Sequence, residues 1–229
     1  HLDEFQQELF QEIKGRIKEE DQSVPYKDNG YYYISRFEEA SEYPIHSRKK
    51  DNLKSPEEIL LNVNDLAKGQ SYYSATGLSV SPDNCILAFG EDIVSRRIYT
   101  IRFKRLDTGE WLEDAIPNTT GRAVWANDNK TVFYARKDET LRSYKIFKHK
   151  IGQAVEKDVE VYHEEDETFN TYVYKTKSDK YIVIASFQTV SSEYRVLSAD
   201  TPDATFSIIQ PRERNLEYDI AHYEDKFYV

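Results

Sequence analysis

The chain has no methionine, one cysteine, five histidines and only eight glycines and seven prolines in 229 residues. A lone cysteine, Cys85, cannot close an internal disulfide, which suits a reducing compartment, the cytoplasm. It sits beside a turn and opens a strand, so it reads as a small half-buried hydrophobe rather than a nucleophile. The modest glycine and proline content excludes collagen-like and low-complexity chains. No apolar run is long enough to cross a bilayer and no signal peptide is present, so no membrane is expected as a partner. Positive charge is short, with 31 Lys and Arg against 41 Asp and Glu. The resulting net charge of −10 argues against nucleic acid, whose phosphates need basic residues. It is compatible with cationic partners, although a solvated acidic surface is the ordinary cause.

Catalytic signatures are missing too. There is no G-x-S-x-G elbow; Gly77-Leu78-Ser79-Val80-Ser81 lacks the second glycine and lies on a strand. His163-Glu164 has no second histidine three residues on, which excludes a zinc helix. No P-loop, dinucleotide fingerprint or paired-cysteine metal site occurs, so neither a metal nor a cofactor is expected. His46, His149 and His222 fall in or near strands without partners at fixed spacing, and read as packing or surface residues. The sequon Asn118-Thr119-Thr120 is incidental in a cytoplasmic protein.

What is present is a repeat. GLSVSPDNCILAFGED (77–92) alternates apolar and polar residues, turns at Pro82-Asp83-Asn84, and continues into an apolar strand. Proline presets φ for a turn, and Asn and Asp tolerate the left-handed position that follows. The same plan recurs at Asp28-Asn29, Asn127-Asp128-Asn129, Ser178-Asp179 and Glu224-Asp225. Aligning Asn29, Asn84, Asn129, Asp179 and Asp225 gives steps of about 55, 45, 50 and 46 residues, the period of four-stranded propeller blades. Eighteen tyrosines and an aromatic content of 14% favour strands over helices. The expected fold is all-β: a partial β-propeller of about four to five blades, occupying 23–229.

Residues 1–22 precede it. Leu2, Phe5, Leu9, Ile13 and Ile17 recur at three- and four-residue steps, which predicts an amphipathic helix over residues 1–20. Its stripe needs a partner, either the propeller rim or a domain outside the chain. The start at His1 inside this helix, the end at Val229 inside a fifth repeat, and the missing methionine read as an excised piece of a larger protein.

Blade one is expected from Val24 to Asn62, blade two from about Tyr73 to Ile116, blade three from Arg122 to Glu164 and blade four from Thr168 to Pro211. Asp107-Thr108-Gly109 between alternating strands is a strong hairpin signal. The run HEEDET (163–168) joins blades three and four. Strand order places Glu164, Glu165, Asp166 and Glu167 on one rim with Glu91, Asp92, Glu38 and Glu39. That rim either steers Lys- and Arg-rich peptides or is simply a solvated loop.

Longer stretches carry a family likeness. EIKGRIKEEDQSVPYKDNGYYYISR (12–36), SRRIYTIRFKRLDTGE (95–110), AVWANDNKTVFYARKDETLRSYKIFKHKIG (123–152) and QPRERNLEYDIAHYEDKFYV (210–229) resemble the propeller of the prolyl oligopeptidase family of serine peptidases, most of all its oligopeptidase B branch. The resemblance spans essentially the whole chain. It implies a seven-bladed propeller capping an α/β-hydrolase domain with a Ser-Asp-His triad, and cleavage of short peptides after Arg or Lys. The triad and oxyanion hole belong to that later domain, so no catalytic residue is assigned here and the chain alone is expected to be inactive. The implied partners are short peptides with Arg or Lys and the protein's own C-terminal hydrolase domain. The propeller would restrict entry by size and gate it by opening and closing. The helix stripe would dock on the hydrolase domain. Strand order places Asn118, Thr119, Thr120 and Arg122 on the face toward the active site, as a substrate-facing loop. A second reading is a non-catalytic propeller that serves as a binding or scaffold module.

Overall fold

The computed structural model describes residues 2–229, so His1 lies outside them. It forms two compact units, up to Gly69 and from Gln70 onward. In the first unit, α1 (Leu2–Gly15) starts with Asp3 and Glu4 and ends with Lys14, charges that suit the helix dipole. The sequence predicts a helix to residue 20, but it stops at Gly15. Glycine in a helix interior costs about 1 kcal/mol, and a short turn carries the chain on through Ile17. None of the helix residues is buried: Leu2, Phe5, Leu9 and Ile13 stay exposed, as does Ile17 beyond the helix end.

The first blade follows. Strands β1 (Asp21–Gln22) and β2 (Tyr26–Asp28) both pair with β3 (Tyr31–Phe37), which leads to β4 (Ile45–Lys50) and β5 (Glu57–Asn62). The inner strand is therefore split in two, where the sequence suggested one segment. Asn62 then caps the short helix α2 (Val63–Leu66) by accepting from the Asn64 N–H.

The second unit contains β6 (Ser74–Val80), β7 (Ile86–Asp92), β8 (Tyr99–Arg105) and β9 (Trp111–Thr119) as blade two. Strands β10 (Val124–Trp125), β11 (Thr131–Lys137), β12 (Ser143–Lys150) and β13 (Val159–His163) form blade three. Blade four is β14 (Asn170–Lys175), β15 (Tyr181–Gln188), β16 (Ser191–Ser198) and β17 (Ser207–Ile208). A hairpin of β18 (Ala221–Tyr223) and β19 (Lys226–Tyr228) opens the next repeat. Blades two and three are not separate sheets. The pairing of β8 with β9 is irregular near Pro117, and Asn118 has φ +59°. This bend brings Thr119 opposite both Tyr99 in β8 and Arg136 in β11, joining eight strands into one sheet.

The turns behave as their residues dictate. Asn29, Asn84, Asn129 and Asp179 have φ between 41° and 64°. In the last repeat the left-handed residue is Glu224, one place before the aligned Asp225. Within the second unit each turn touches the next one along. The Asp83 N–H donates to Asn129, 46 residues on, Asn127 donates to the Asp179 carbonyl, 52 on, and Ser178 bonds His222, 44 on. These separations are one repeat long, so the successive blades of this unit stand side by side in register. Cys85, expected half-buried, is exposed, and its thiol lies 3.4 Å from the Asp83 carbonyl.

Alternation along each central strand feeds two cores. On β11, Val132 and Tyr134 pack with Ile101, Phe103 and Ile116 of blade two. Their neighbours Phe133 and Ala135 pack with Ile182, Ile184 and Leu197 of blade four. On β15 the opposite pair, Val183 and Ala185, packs with Tyr194, Val196 and Ile220. Each large apolar side chain so buried contributes about 1.5–3 kcal/mol, which is why sheets with two apolar faces stack as wedges.

Candidate functional site

The segment Asn118–Arg122 runs from the end of β9 toward β10. Glycine makes its course possible. Gly121 has φ +87°, and a Cβ there would lie 2.7 Å from Thr76 Cγ2 and 2.8 Å from Tyr99 Cγ. Gly77 and Gly90, on β6 and β7, lie so close to the Gly121 backbone that neither has room for a side chain. Thr119 is fully buried: its hydroxyl donates to the Tyr99 carbonyl at 2.9 Å and accepts from the Gly121 N–H at 3.0 Å. The Thr120 N–H donates to the Ala135 carbonyl. Of the four residues singled out in the sequence, Thr119 is committed to the blade joint, Thr120 is half-buried, and Asn118 and Arg122 are exposed.

The loop between β7 and β8 is held as firmly. Asp92 is buried, and its carboxylate accepts the backbone N–H groups of Val94, Ser95, Arg96 and Arg97 at 2.8–3.0 Å. Four converging N–H donors satisfy a buried carboxylate without a cation. The Lys137 ammonium donates to the Arg97 carbonyl and sits 5.9 Å from the Tyr99 ring, beside Gly121. Burial lowers the Lys137 pKa, and the nearby Arg97 charge lowers it further. The two loops thus form one rigid surface.

The expected acidic rim does not form as drawn. Glu164 is buried and takes a two-pronged ion pair from Arg212, at 3.2 and 2.6 Å, plus the Tyr162 hydroxyl at 2.6 Å. Burial pushes its carboxyl pKa up, but the bonds from Arg212, Tyr162 and Ser186 outweigh that and hold it below the usual range. Glu91 accepts from the Tyr73 hydroxyl and pairs with Arg102. Arg142 donates to the Asp166 and Phe169 carbonyls, tying down the loop between β13 and β14. Of the acidic residues of that run, Glu165, Asp166 and Glu167 are exposed and Glu164 is not. Arg102 and Arg212 capture carboxylates that look solvated in the sequence.

His149 is likewise more than packing. It is fully buried, with Nδ1 2.6 Å from Asp158 and Nε2 3.0 Å from Asp114. Tyr134 donates to the other Asp158 oxygen at 2.8 Å, and the Gly152 N–H donates to Asp114. Burial lowers the imidazole pKa, but the bonds to Asp158 and Asp114 overcome this and raise it. Both ring nitrogens face carboxylates, so both carry protons and the group is an imidazolium. It ties β9 of blade two to β12 of blade three.

Two serine–histidine contacts exist, Ser35 with His46 and Ser178 with His222, each at 2.8 Å. Among the described residues neither histidine has a carboxylate at its other nitrogen, so neither pair is a triad. No cluster of His, Cys, Asp and Glu among the described residues could hold a metal ion. No helix among them is long and apolar enough to cross a membrane.

Comparison with known proteins places this arrangement. Residues 1–229 match the prolyl oligopeptidase N-terminal β-propeller domain. The chain belongs to the prolyl oligopeptidase family. Among relatives of this prolyl oligopeptidase propeller, dipeptidyl aminopeptidase BI of Pseudoxanthomonas mexicana is 39% identical over 244 residues, covering all of this chain and 34% of that protein. Protease 2 of Moraxella lacunata is 29% identical, again over 34% of its length. Oligopeptidase B from Leishmania major superposes with a TM-score of 0.89 at 29% identity, covering 95% of this chain and 31% of that one. Oligopeptidase B from Trypanosoma brucei, in a closed form with covalently bound antipain, gives 0.86 at 28% identity. This prolyl oligopeptidase propeller thus spans about a third of the length of its relatives. Its blades and their order accord with the family; the buried charge clusters at the joints were invisible in the repeat.

Proposed function

We propose that the chain is the gating propeller of a serine oligopeptidase that hydrolyses short peptides after Arg or Lys, the chemistry residing in an α/β-hydrolase domain outside the described residues. The observation that carries this is the match along 95% of the chain to oligopeptidase B structures, one of them in a closed form. The uncovered stripe of α1 supports docking of residues 1–22 on the hydrolase domain, since a helix with no buried residue has its apolar face to spare. The rigid loops around Asn118, Thr120 and Arg122 support a substrate-facing surface, with Thr119 as the pin that holds it. A single exposed thiol and no disulfide support a cytoplasmic location.

The 39% identity to a dipeptidyl aminopeptidase favours a second reading, removal of dipeptides from a free amino terminus. One assay of the full-length protein decides between them. Short Arg- or Lys-containing substrates are offered with free and with acylated amino termini, alongside a folded protein. Cleavage after Arg or Lys of acylated substrates, loss of activity with a serine-directed inhibitor, and no attack on the folded protein support the oligopeptidase reading. Cleavage only of substrates with a free amino terminus supports the second. No cleavage of either refutes both and leaves the scaffold role.

A further inference from the structure

A cleft of about 440 Å³ opens at one end of blade four, where β14, β15 and β16 meet the segment leading into β18. Its walls are aromatic. Tyr172 stands edge-on to Phe187 at 5.4 Å, and Tyr194 lies against Tyr218 at 5.1 Å. Hydrogen bonds fix these rings in place. The Tyr218 hydroxyl donates to the Gln210 carbonyl at 2.7 Å and accepts from the Tyr194 N–H at 3.0 Å. Ser192 clamps Tyr218 from both sides, donating to its carbonyl at 2.8 Å and accepting from its N–H at 2.9 Å. The cleft is therefore preformed.

Its rim is anionic. Glu217 and Asp219 are exposed, and among the described residues neither has a Lys, Arg or His within ion-pair distance. Burial raises the pKa of the Tyr172 and Tyr194 phenols, and the Asp219 charge raises both further.

The protein fills such a combination elsewhere with arginine. Arg48 lies 3.9 Å from the Tyr31 ring and pairs with Glu58. Arg195 lies 4.3 Å from Tyr162 and pairs with Glu193. Arg212 lies 3.6 Å from Phe169 and pairs with Glu164. A guanidinium satisfies both features at once, stacking its plane on a ring while its fork of N–H groups meets a carboxylate. The cleft offers the exposed Tyr172 ring and two carboxylates, and among the described residues no arginine occupies it.

We infer that this cleft is a binding subsite for an arginine side chain of a peptide, with Glu217 and Asp219 taking the guanidinium charge and the exposed ring of Tyr172 its flat face. The subsite lies on the propeller and makes no use of the catalytic residues. It rests on the peptidase reading only for the source of the arginine, a basic residue of the substrate away from the bond cut.

The test is calorimetric titration of the full-length protein with agmatine, decarboxylated arginine, which carries a guanidinium and a primary ammonium but no carboxylate. Glycinamide serves as the probe for an amino terminus. The variants are Glu217→Gln with Asp219→Asn, and Tyr172→Leu alone; unchanged melting shows that each still folds. The expected result is agmatine binding at least tenfold weaker in both variants and weakened by salt, with glycinamide at least tenfold poorer than agmatine. Equal agmatine affinity in wild type and the double variant overturns the inference, as does tighter binding of glycinamide than of agmatine. Cleavage of a small single-arginine substrate is measured in parallel. If it persists while agmatine affinity ignores the variants, the subsite fails and the peptidase reading stands. If there is no cleavage but variant-sensitive agmatine binding, the subsite stands and the peptidase reading fails.

Discussion

Replacing His149 with glutamine tests the reading of the joint between blades two and three. The imidazolium is fully buried between Asp114 and Asp158, whose side chains are only 7% and 2% exposed. Glutamine removes the cation and leaves two carboxylates facing each other across a dry gap. Breaking a buried ion pair in this way costs about 3–5 kcal/mol. For a protein of this size each kcal/mol moves the melting temperature by about 2–4 °C, so a drop of about 6–20 °C is expected. The effect has a pH signature. The folded pKa of His149 is raised above its ordinary 6.5. Its stabilisation is therefore fully present below pH 6.5 and fades as pH rises through the folded value. The gap between wild type and variant is thus widest near pH 6 and narrows toward pH 9. Circular dichroism melts of both proteins across that range read it directly. Adding Asp114→Asn and Asp158→Asn to the variant removes the stranded charges and recovers part of the loss. A gap under about 1 kcal/mol at pH 6, or one that grows with rising pH, refutes the charged bridge.

Other substitutions probe other parts of the structure. Gly121→Ala meets Thr76 and Tyr99 at a φ of +87°, and is expected to cost about 2–4 kcal/mol in urea unfolding; a neutral result refutes the tight packing of that loop. Arg212→Met strands buried Glu164, and since Arg212 is partly exposed the expected cost is about 2–3 kcal/mol near pH 7. Because the Glu164 pKa is depressed below its ordinary 4.5, that contribution is present above pH 4.5 and vanishes as pH falls through the lower folded value; a difference that persists at pH 2 contradicts the pairing. Arg122→Ala, on the exposed part of the loop, is expected to raise KM for short peptides by about threefold or more without moving the melting temperature; an unchanged KM argues against a substrate-facing loop.

The repeat was legible because turn chemistry is local. Asn84 and Asn129 each carry the left-handed backbone that their neighbours demand, and that requirement fits within four residues. The continuous apolar runs Val132–Ala135 and Ile182–Ala185 likewise announced strands buried on both faces. The charge clusters were hidden for the converse reason. Asp114 and His149 are 35 residues apart, and Glu164 and Arg212 are 48 apart. Which acid meets which base depends on how one blade faces the next, and no periodicity within a strand encodes that. The run at 163–168 therefore looked like solvated acid, although its first glutamate is the most deeply paired residue of the segment. The end of α1 was misjudged because the apolar spacing continues to Ile17 past the glycine that stops the helix.

Thr119 has a mechanical corollary. One residue of main chain is laddered to β8 on one side and to β11 on the other, so the two blades share a stitch of backbone and not only a greased contact. Prising them apart means tearing peptide hydrogen bonds and exposing their polar groups, whereas neighbouring sheets without a common strand can slip on their side chains. Relative movement between blades of this unit must therefore fall at other joints, while blades two and three move as a single plate.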